Sequence, residues 1–457
     1  MTFETVNPAT GQPIKTYETM SQEEVFTIAE KIYPTFLEWR ERSVSDRVPY
    51  VRRLANVLRS NQQEYAELMT TEMGKPLRES LAEIEKCAWM ADVYAGNASN
   101  WLANEPVKAD GLEHRVVFQP LGIILAIMPW NFPFWQALRC AVPALLAGNA
   151  VILKHARVCT GSGLAVEAAM QEAGFPEDVF RTVIADHATI DGLIASDLVQ
   201  GVSLTGSVEA GRAVAATAGR HLKKMVLELG GSDPFIVLDD VDVEAVAEQA
   251  VTGRMINTGQ SCIAAKRFIV HEKVADAFIE SFAERMQQLR VGDPLDMATE
   301  VGPLVDEASL EQMEAFVRDA VEKGATVVTG GAAINRAGFF FEPTVLADVT
   351  RDMRVAREEV FGPVAPVFTR EDEEQAVTLA NDTPFGLGGS VWTRDEERGM
   401  NIARRVEAGC VFVNHITKSD PRLPFGGIKK SGIGRELARY GLHEFVNVKT
   451  LNLYRHG

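Results

Sequence analysis

Hydrophobic residues recur at helical spacing through the first hundred positions of the chain. Residues 21–42 and 46–75 carry apolar side chains every three or four positions, the period of a helix with one buried face. Ser21 is followed three positions later by Glu24, the pattern of a capping box at a helix start. We therefore predict that residues 21–104 form helices with a structural rather than a chemical role.

Short apolar runs separated by helix-like segments replace this pattern after residue 120. Runs such as GIILAIM, AVILK, GVSLTG and PFIVL have the length of buried strands. Strands that alternate with helices predict βαβ units and a parallel sheet. The alternation starts again after Asp239, so we predict two α/β domains, each built on a parallel sheet. Before the first of these strands, residues 105–120 alternate around an Asp-Gly turn, which predicts a β-hairpin.

The composition is that of a globular protein with large cores. The 457 residues are 46% hydrophobic and 24% charged, and the formal net charge is −17. This charge argues against nucleic acid or an anionic membrane surface as a partner, since both are negative. Polar residues and prolines interrupt the longest apolar stretches well short of a bilayer's thickness. The N-terminus lacks the basic and apolar segments of a secretory signal, so we expect a cytoplasmic protein without membrane spans.

Five cysteines without regular spacing predict reduced thiols rather than a disulfide framework or a metal site. Four of them lie in apolar or helical contexts. Cys262 differs, because the stretch NTGQSCIAAKR surrounds it with small polar residues. A thiol in a turn rich in backbone N–H groups is a candidate nucleophile, and an inert buried thiol is the open alternative.

Two further side chains have surroundings that suit catalysis. Glu228 ends an apolar strand and precedes two glycines, so burial would raise the pKa of its carboxyl toward the range of a general base. Asn131 lies between Pro129 and Pro133, which would hold its amide rigidly enough to stabilise an oxyanion. A strand-end Glu that faces solvent and an ordinary turn Asn are the competing interpretations.

The segment GVSLTGSVEAGRAV joins a strand to a helix through Gly206 and Ser207. With Gly211, these residues would bring a helix N-terminus and its free N–H groups toward a phosphate. The segment matches neither the dinucleotide fingerprint nor a Walker loop. A plain turn between a strand and a helix explains it equally well.

These features occur in an order that resembles the aldehyde dehydrogenase superfamily. The segments run from Asn131 and Lys154 through TGSVEAG, LELGGSDP and GQSC to EEVFGPV and PFGGIKKSGIGRE. The resemblance covers essentially the whole chain, and SDPRLPFGG together with Arg139 is most similar to the succinate-semialdehyde dehydrogenases. It implies the α/β fold of that family, with two parallel-sheet domains and a β-hairpin oligomerisation element.

The resemblance also implies a reaction, the NAD(P)-dependent oxidation of an aldehyde such as succinic semialdehyde to a carboxylic acid. Cys262 matches the nucleophile that forms a thiohemiacetal and then, after hydride transfer, a thioester, so its thiol should be exposed to meet substrate. Asn131 and the Cys262 N–H match the oxyanion donors. Glu228 matches the base that activates water for thioester hydrolysis.

Cofactor and substrate positions follow from the same resemblance. The implied cofactor-binding residues are Trp130, Lys154, Arg157, Gly206, Ser207, Glu359 and Phe361. The implied substrate-binding residues are Trp135, Arg139 and Ser419, and Arg139 would bind a substrate carboxylate. Arg157 stands where many NAD-preferring relatives carry Glu, so NADP should be used at least as well as NAD. Ile263 follows the nucleophile, which excludes the adjacent-cysteine redox switch of some relatives.

The implied architecture has three parts. A cofactor-binding domain would comprise residues 1–101 and 120–230, a catalytic domain residues 231–440, and an oligomerisation element residues 102–119 and 441–457. We expect a homodimer or homotetramer, because the hairpin would otherwise leave an unpaired edge.

Three other functions stay open at this point. The chain could be a dehydrogenase for another small aldehyde, an acylating relative that passes the thioester to coenzyme A or phosphate, or a non-catalytic structural protein. Glu228, as a base for water, argues against acyl transfer. The presence of Cys262, Glu228 and Asn131 together argues against a purely structural role.

Overall fold

The computed structural model of the chain describes residues 2–456, which form four β-sheets and the helices around them. The strands are, in chain order, β1 Thr2–Asn7, β2 Gln12–Glu18, β3 Glu105–Pro106, β4 Glu113–Pro120, β5 Ile123–Met128, β6 Ala150–His155, β7 Phe180–Thr182, β8 Val199–Thr205, β9 Lys224–Glu228, β10 Asp233–Val237, β11 Ala265–His271, β12 Thr326–Thr329, β13 Thr344–Ala347, β14 Val364–Arg370, β15 Gly388–Trp392, β16 Cys410–Val413, β17 Gly432–Ile433 and β18 Val446–Leu453. β1 and β2 pair with each other as a separate hairpin.

Helices connect and cover these strands. They are α1 Gln22–Arg40, α2 Val44–Ser60, α3 Gln62–Met73, α4 Leu77–Trp101, α5 Pro133–Ala147, α6 Thr160–Glu172, α7 His187–Ala195, α8 Val208–Arg220, α9 Val243–Met255, α10 Glu272–Gln288, α11 Glu307–Glu322, α12 Arg354–Arg357, α13 Glu373–Asn381, α14 Glu396–Ala403 and α15 Ala438–Glu444. α1 to α4 occupy the region where helices were predicted. The capping box is also confirmed, since Ser21 and Glu24 each accept the other's backbone N–H.

The first large sheet has the strand order β17-β9-β8-β5-β6-β7. Its strands run parallel except β17, which pairs antiparallel with β9 and sets Gly432 opposite Glu228. Parallel strands end on one edge of a sheet, so the residues at and beyond the ends of β5, β6, β8 and β9 lie together. The residues brought to this edge include Asn131, Lys154, Ser207 and Glu228.

The second large sheet has the order β12-β13-β14-β11-β10-β15-β16 and is parallel except for β12. β10 is buried along its whole length, as expected for a strand covered on both faces. Cys262 lies three residues before β11. Together, the two sheets confirm the α/β fold class predicted from the alternation of apolar runs and helical segments.

A small antiparallel sheet lies apart from these two. β3 and β4 form the hairpin predicted from residues 105–120, and β18 pairs with the other edge of β4 over eight residues. The apolar side chains of Val448 and Leu453 on β18 are 59% and 54% exposed. The chain thus uses one of its last strands to extend the hairpin. The exact domain boundaries stay a prediction.

The longest apolar stretches of the sequence are core elements. They form β5, β6 and α5, and α5 is buried from its first residue to its last. Its N-terminal N–H groups at Phe134 and Trp135 donate to the carboxylate of Glu83 on α4 at 3.0 and 2.9 Å. Within the part of the chain that the structure describes, no helix combines the length and the apolar character needed to cross a bilayer.

Asn149 ties three of these core elements together. Its Oδ1 accepts the N–H groups of Leu121 and Gly122 at 2.8 and 3.1 Å, just before β5. Its Nδ2 donates to the carbonyls of Ala144 in α5 and Phe445 before β18 at 3.2 and 2.9 Å. The side chain has no exposed surface, so truncating it would leave buried polar groups without partners.

We expect Asn149→Ala to lower the free energy of unfolding by about 3 kcal/mol or more, since each buried polar group left unpaired costs about 1–3 kcal/mol. Urea unfolding followed by circular dichroism measures the change. Asn97→Ala is the matched control, because Asn97 makes a single bond to the Val93 carbonyl within α4. Equal stability of the two variants would show that the Asn149 bonds do not hold these elements together.

Candidate active site

The turn before Cys262 has a strained backbone. Asn257, Thr258 and Gly259 have φ angles of 52°, 56° and 78°, in the left-handed region that only glycine adopts at little cost. A Cβ atom on Gly259 would collide with the backbone of Gly362. Such strain persists only where surrounding contacts enforce it, and it is common at functional sites.

Two fully buried cations enforce this turn. Arg254 donates to the Gly259 carbonyl at 2.7 Å, and Lys266 Nζ donates to the carbonyls of Ser261 and Cys262 at 2.7 and 2.8 Å. Both cationic side chains have no exposed surface. Because a buried cation that loses its hydrogen bonds is costly, these carbonyls are held in place on both sides of the thiol.

Most polar side chains around Cys262 form hydrogen bonds inside the protein, although Asn257 Oδ1 and Ser261 Oγ have no partner among the described residues. Asn257, Thr258, Gln260 and Ser261 are fully buried, and the first three bond backbone groups of neighbouring loops. Cys262 itself is half-buried. The thiol is therefore partly accessible, while the polar residues beside it are buried by internal hydrogen bonds rather than exposed to solvent.

Cys262 lines two cavities at once. The first encloses about 230 Å³ and the second about 420 Å³. Burial raises the pKa of its thiol to about 12, although the charges of Lys266 and Arg139 act in the opposite direction. The resting protein therefore holds a protonated thiol at neutral pH, in a position that both cavities reach.

Asn131 lies between β5 and α5 and lines the second cavity. Gln136 donates to its Oδ1 at 3.0 Å, so the amide nitrogen faces the other way and donates to the Gln260 carbonyl at 3.0 Å. An amide nitrogen carries two hydrogens, and one of them remains for a ligand. Among residues 2–456, the backbone N–H of Cys262 has no acceptor. Two hydrogen-bond donors are thus available in the cavity that contains the thiol.

The Glu228 carboxyl is buried at the end of β9, and neither oxygen has a hydrogen-bond partner among the described residues. Burial raises its pKa well above the ordinary value; the Glu436 carboxylate raises it further, and Arg139 lowers it. One oxygen packs against Gly426, where a Cβ atom would approach it within 2.6 Å. The direction of the pKa shift is the one predicted from the sequence.

Arg139 forms a buried ion pair with Glu436. Its Nε lies 2.5 Å from a carboxylate oxygen, and the two side chains are 4% and 6% exposed. Its guanidinium also lies over the Phe425 ring, 5.1 Å from the centroid. Arg139 lines the first cavity, as a substrate-binding residue should, but Glu436 already balances its charge.

The first cavity brings the predicted substrate positions together with the thiol. Its lining includes Trp135, Arg139, Ser419 and Cys262. It also includes three charged residues of α4, namely Glu79, Glu83 and Lys86. The expectation that residues 21–104 contribute structure alone is therefore wrong. Charged residues spaced by four and three positions look like an ordinary solvated helix face, so the sequence held no signal for this role.

The second cavity brings together five of the predicted cofactor positions, which are Trp130, Gly206, Ser207, Glu359 and Phe361. The rings of Trp130 and Phe361 meet edge to face with centroids 5.8 Å apart. Ser207 caps α8, whose N-terminal N–H groups favour an anion. Glu359 accepts the Gly231 N–H at 3.0 Å, which ties it to the loop after β9.

Lys154 and Arg157 lie at the same sheet edge, outside the lining of the second cavity. Burial lowers the pKa of Lys154, and the nearby Arg157 charge lowers it further. Arg157 is exposed and lies over the Phe3 ring at 5.2 Å. Neither cation has a carboxylate oxygen within 4.0 Å in the described chain, so together they suit an anionic group. In the part of the chain that the structure describes, no group of three or more His, Cys, Asp or Glu side chains is placed to hold a metal ion.

Known proteins are similar to this sequence over nearly its full length. A probable succinate-semialdehyde dehydrogenase (NADP+) from Synechocystis sp. is 47% identical, and the alignment covers 99% of each chain. A succinate-semialdehyde dehydrogenase (NADP+) from Mycolicibacterium paratuberculosis is 45% identical, with 99% of this chain and 96% of the relative covered.

The fold and the family model agree with these relatives. The crystal structure of succinic semialdehyde dehydrogenase from Streptococcus pyogenes in complex with NADP+ matches with a TM-score of 0.97 at 36% identity, covering 99% of this chain and 100% of that one. The model described as "Aldehyde dehydrogenase family" matches residues 1–451. Since the match spans both cavities and the cysteine between them, the chain belongs to the aldehyde dehydrogenase family.

Proposed function

We propose that this enzyme oxidises succinic semialdehyde to succinate with NADP as the oxidant. The observation that carries the proposal is the position of Cys262, whose thiol lines both the cavity of Trp135 and Ser419 and the cavity of the cofactor positions. An aldehyde in the first cavity and a nicotinamide ring in the second would meet at this sulfur. Relatives of 45–47% identity that are named as NADP-dependent succinate-semialdehyde dehydrogenases support this substrate and cofactor.

The first chemical step is attack of the Cys262 sulfur on the aldehyde carbon. The carbonyl oxygen takes up negative charge and accepts the free amide N–H of Asn131 and the backbone N–H of Cys262. Loss of one such donor costs about 100- to 1,000-fold in rate in well-studied enzymes. Arg254 and Lys266 hold the loop, so the sulfur and the N–H keep a fixed relation to each other.

Proton transfer falls to Glu228. Burial raises the pKa values of both the Glu228 carboxyl and the Cys262 thiol, and the Glu228 charge raises that of the thiol further. In its ionised form Glu228 accepts the thiol proton and releases it to solvent, after which it accepts a proton from the water that hydrolyses the thioester. A buried base at this position favours water over coenzyme A or phosphate as the acyl acceptor.

The second cavity and the cations beside it fit NADP. Its aromatic wall suits a flat ring, and the α8 N-terminus at Ser207 suits a phosphate group. Lys154 and Arg157 lack carboxylate partners, which suits a further phosphate on the adenine ribose. Glu359 would hold the nicotinamide ribose from its anchored position. When bound, NADP supplies the oxidised nicotinamide that accepts the hydride.

The regions of the chain take on roles in this proposal. We assign residues 1–101 and 120–230 to cofactor binding, residues 231–440 to catalysis, and residues 102–119 and 441–457 to contacts between subunits of a homodimer or homotetramer. Exposed apolar side chains on β18 support the subunit contact. All five cysteines are unpaired, which suits a reducing compartment such as the cytoplasm.

Wild-type enzyme should form NADPH faster from succinic semialdehyde than from pentanal, and Cys262→Ala should abolish this activity. Glu228→Gln should allow a first turnover and slow later ones, because thioester hydrolysis loses its base. Stopped-flow absorbance of NADPH separates the burst from the steady state. Cys410→Ala, which alters a half-buried thiol outside both cavities, should keep normal rates. Substantial steady turnover by Cys262→Ala would refute the mechanism.

Alkylation of Cys262 in the cofactor-free protein should speed up steadily from about pH 7 to pH 10, because a pKa of about 12 keeps the thiolate fraction rising through this range. Iodoacetamide labelling followed by mass spectrometry of the Cys262 peptide gives the rate. Glutathione, as the control thiol, should level off near its ordinary pKa. A plateau for Cys262 below pH 9 would mean that burial does not raise its pKa.

Arg157→Glu should shift cofactor preference toward NAD by about one to two decades in kcat/KM, since an acid repels the 2′-phosphate and each 1.4 kcal/mol is tenfold. Steady-state kinetics with both cofactors measure the ratio. Arg52→Glu makes the same charge change at another exposed position, on α2, and should leave the ratio unchanged. Equal ratios in the wild type and Arg157→Glu would remove Arg157 from the cofactor site.

A further inference from the structure

Helix α4 forms one wall of the first cavity and places charges along it. Glu79, Glu83 and Lys86 face the cavity from successive turns of the helix. Glu79 accepts the backbone N–H of Asn257 at 2.8 Å and so marks the end nearest the thiol loop. Lys86 lies seven residues further, about two turns or 10 Å along the helix, and marks the far end.

The Lys86 ammonium has N–H donors that no protein group among residues 2–456 accepts. Its Nζ donates to the Ser419 hydroxyl at 2.7 Å and lies over the Trp135 ring, 4.3 Å from the centroid. In the described chain no carboxylate oxygen lies within 4.0 Å of this nitrogen. An ammonium has three N–H donors, so two of them lack a protein acceptor in a cavity that also contains the reactive sulfur.

The carboxylates nearest to Lys86 are bound to other cations. Glu83 pairs with Lys75 and accepts two N–H groups from the start of α5. Asp420 pairs with Arg422 through two hydrogen bonds. These acids influence Lys86 only by electrostatic interaction at a distance. They leave its ammonium free to bind the carboxylate of a ligand.

Arg139, the other cation of this cavity, is less available. Its guanidinium is committed to Glu436 by the buried ion pair described above. A ligand carboxylate that took Arg139 for itself would leave the Glu436 charge buried without its partner, which is strongly unfavourable. Lys86 can bind a carboxylate without breaking any ion pair.

We propose that Lys86 is the residue that selects a substrate with a terminal carboxylate, by binding that carboxylate directly together with the Ser419 hydroxyl. Arg139 then contributes positive potential while remaining paired with Glu436. Trp135 supports the methylene groups between the two ends of the substrate. This inference rests on the proposed function, since it names the group that recognises the acid end of succinic semialdehyde.

The test compares two aldehydes of similar length in matched variants. Lys86→Met removes the charge and keeps an unbranched side chain. It should lower kcat/KM for succinic semialdehyde about ten- to a hundredfold and leave pentanal within about threefold. Lys31→Met is the control, because Lys31 is an exposed lysine on α1 outside this cavity, and should change neither value by more than about threefold.

The pH dependence of the preference between the two aldehydes is a second measurement. It would not change if Lys86 had only a structural role. Burial, followed by the Arg139 charge, lowers the pKa of Lys86 to about 8, while Glu83, Asp420 and the buried Cys87 thiol act in the opposite direction. Lysine is charged below its pKa, so the kcat/KM ratio of succinic semialdehyde to pentanal should fall above about pH 8. Taking the ratio cancels the titration of Cys262, which affects both aldehydes alike.

Lys86→Arg separates charge from shape in the same experiment. A guanidinium stays charged throughout, so this variant should keep the preference for succinic semialdehyde and lose its decline above pH 8. Equal losses on both aldehydes in Lys86→Met, or an equal loss of preference in Lys31→Met, would overturn the assignment. A wild-type enzyme that did not prefer succinic semialdehyde would refute the proposed function itself, which is a distinct outcome.

Discussion

The left-handed turn of Asn257–Gly259 is the constraint on which the active site depends. A non-glycine residue in such a conformation costs about 1–3 kcal/mol, and the surrounding packing has to offset it. Arg254 and Lys266 do so with hydrogen bonds to the carbonyls of Gly259 and of Cys262 itself. The sulfur therefore reaches both cavities because of the loop's own geometry, before any ligand is present.

The buried guanidinium of Arg139 influences the pKa values of two carboxyl groups near this loop. Arg139 acts on two carboxyl groups but makes its close contact with Glu436. A single cation cannot balance two buried anions, and the pKa of Glu228, which forms no ion pair with Arg139, is raised well above its ordinary value. The placement of one arginine thus influences the proton affinity of both acids.

Much of this arrangement could be predicted from the sequence. Periodicity gave the α/β class and the helical N-terminal region, and local surroundings singled out Cys262 among five cysteines. Contacts between distant positions could not be predicted in this way. The pairing of Arg139 with Glu436 joins residues almost three hundred positions apart, and Lys86 has the spacing of any solvated helix residue. Burial of the polar turn was missed because composition does not tell whether a hydrogen-bond partner is water or protein.

The short strand β17 has a consequence for the order in which this enzyme becomes active. It sets Gly432 against Glu228, and Gly426, just before it, covers one carboxyl oxygen. The covering segment is about 200 residues further along the chain, which takes roughly 10 to 40 seconds to synthesise at 5–20 residues per second. During that time the covering segment is absent, and so is Glu436, whose charge raises the pKa of Glu228 in the folded protein. A ribosome-bound fragment therefore carries the general base without the surroundings that set its pKa, and these are complete only when translation is nearly finished.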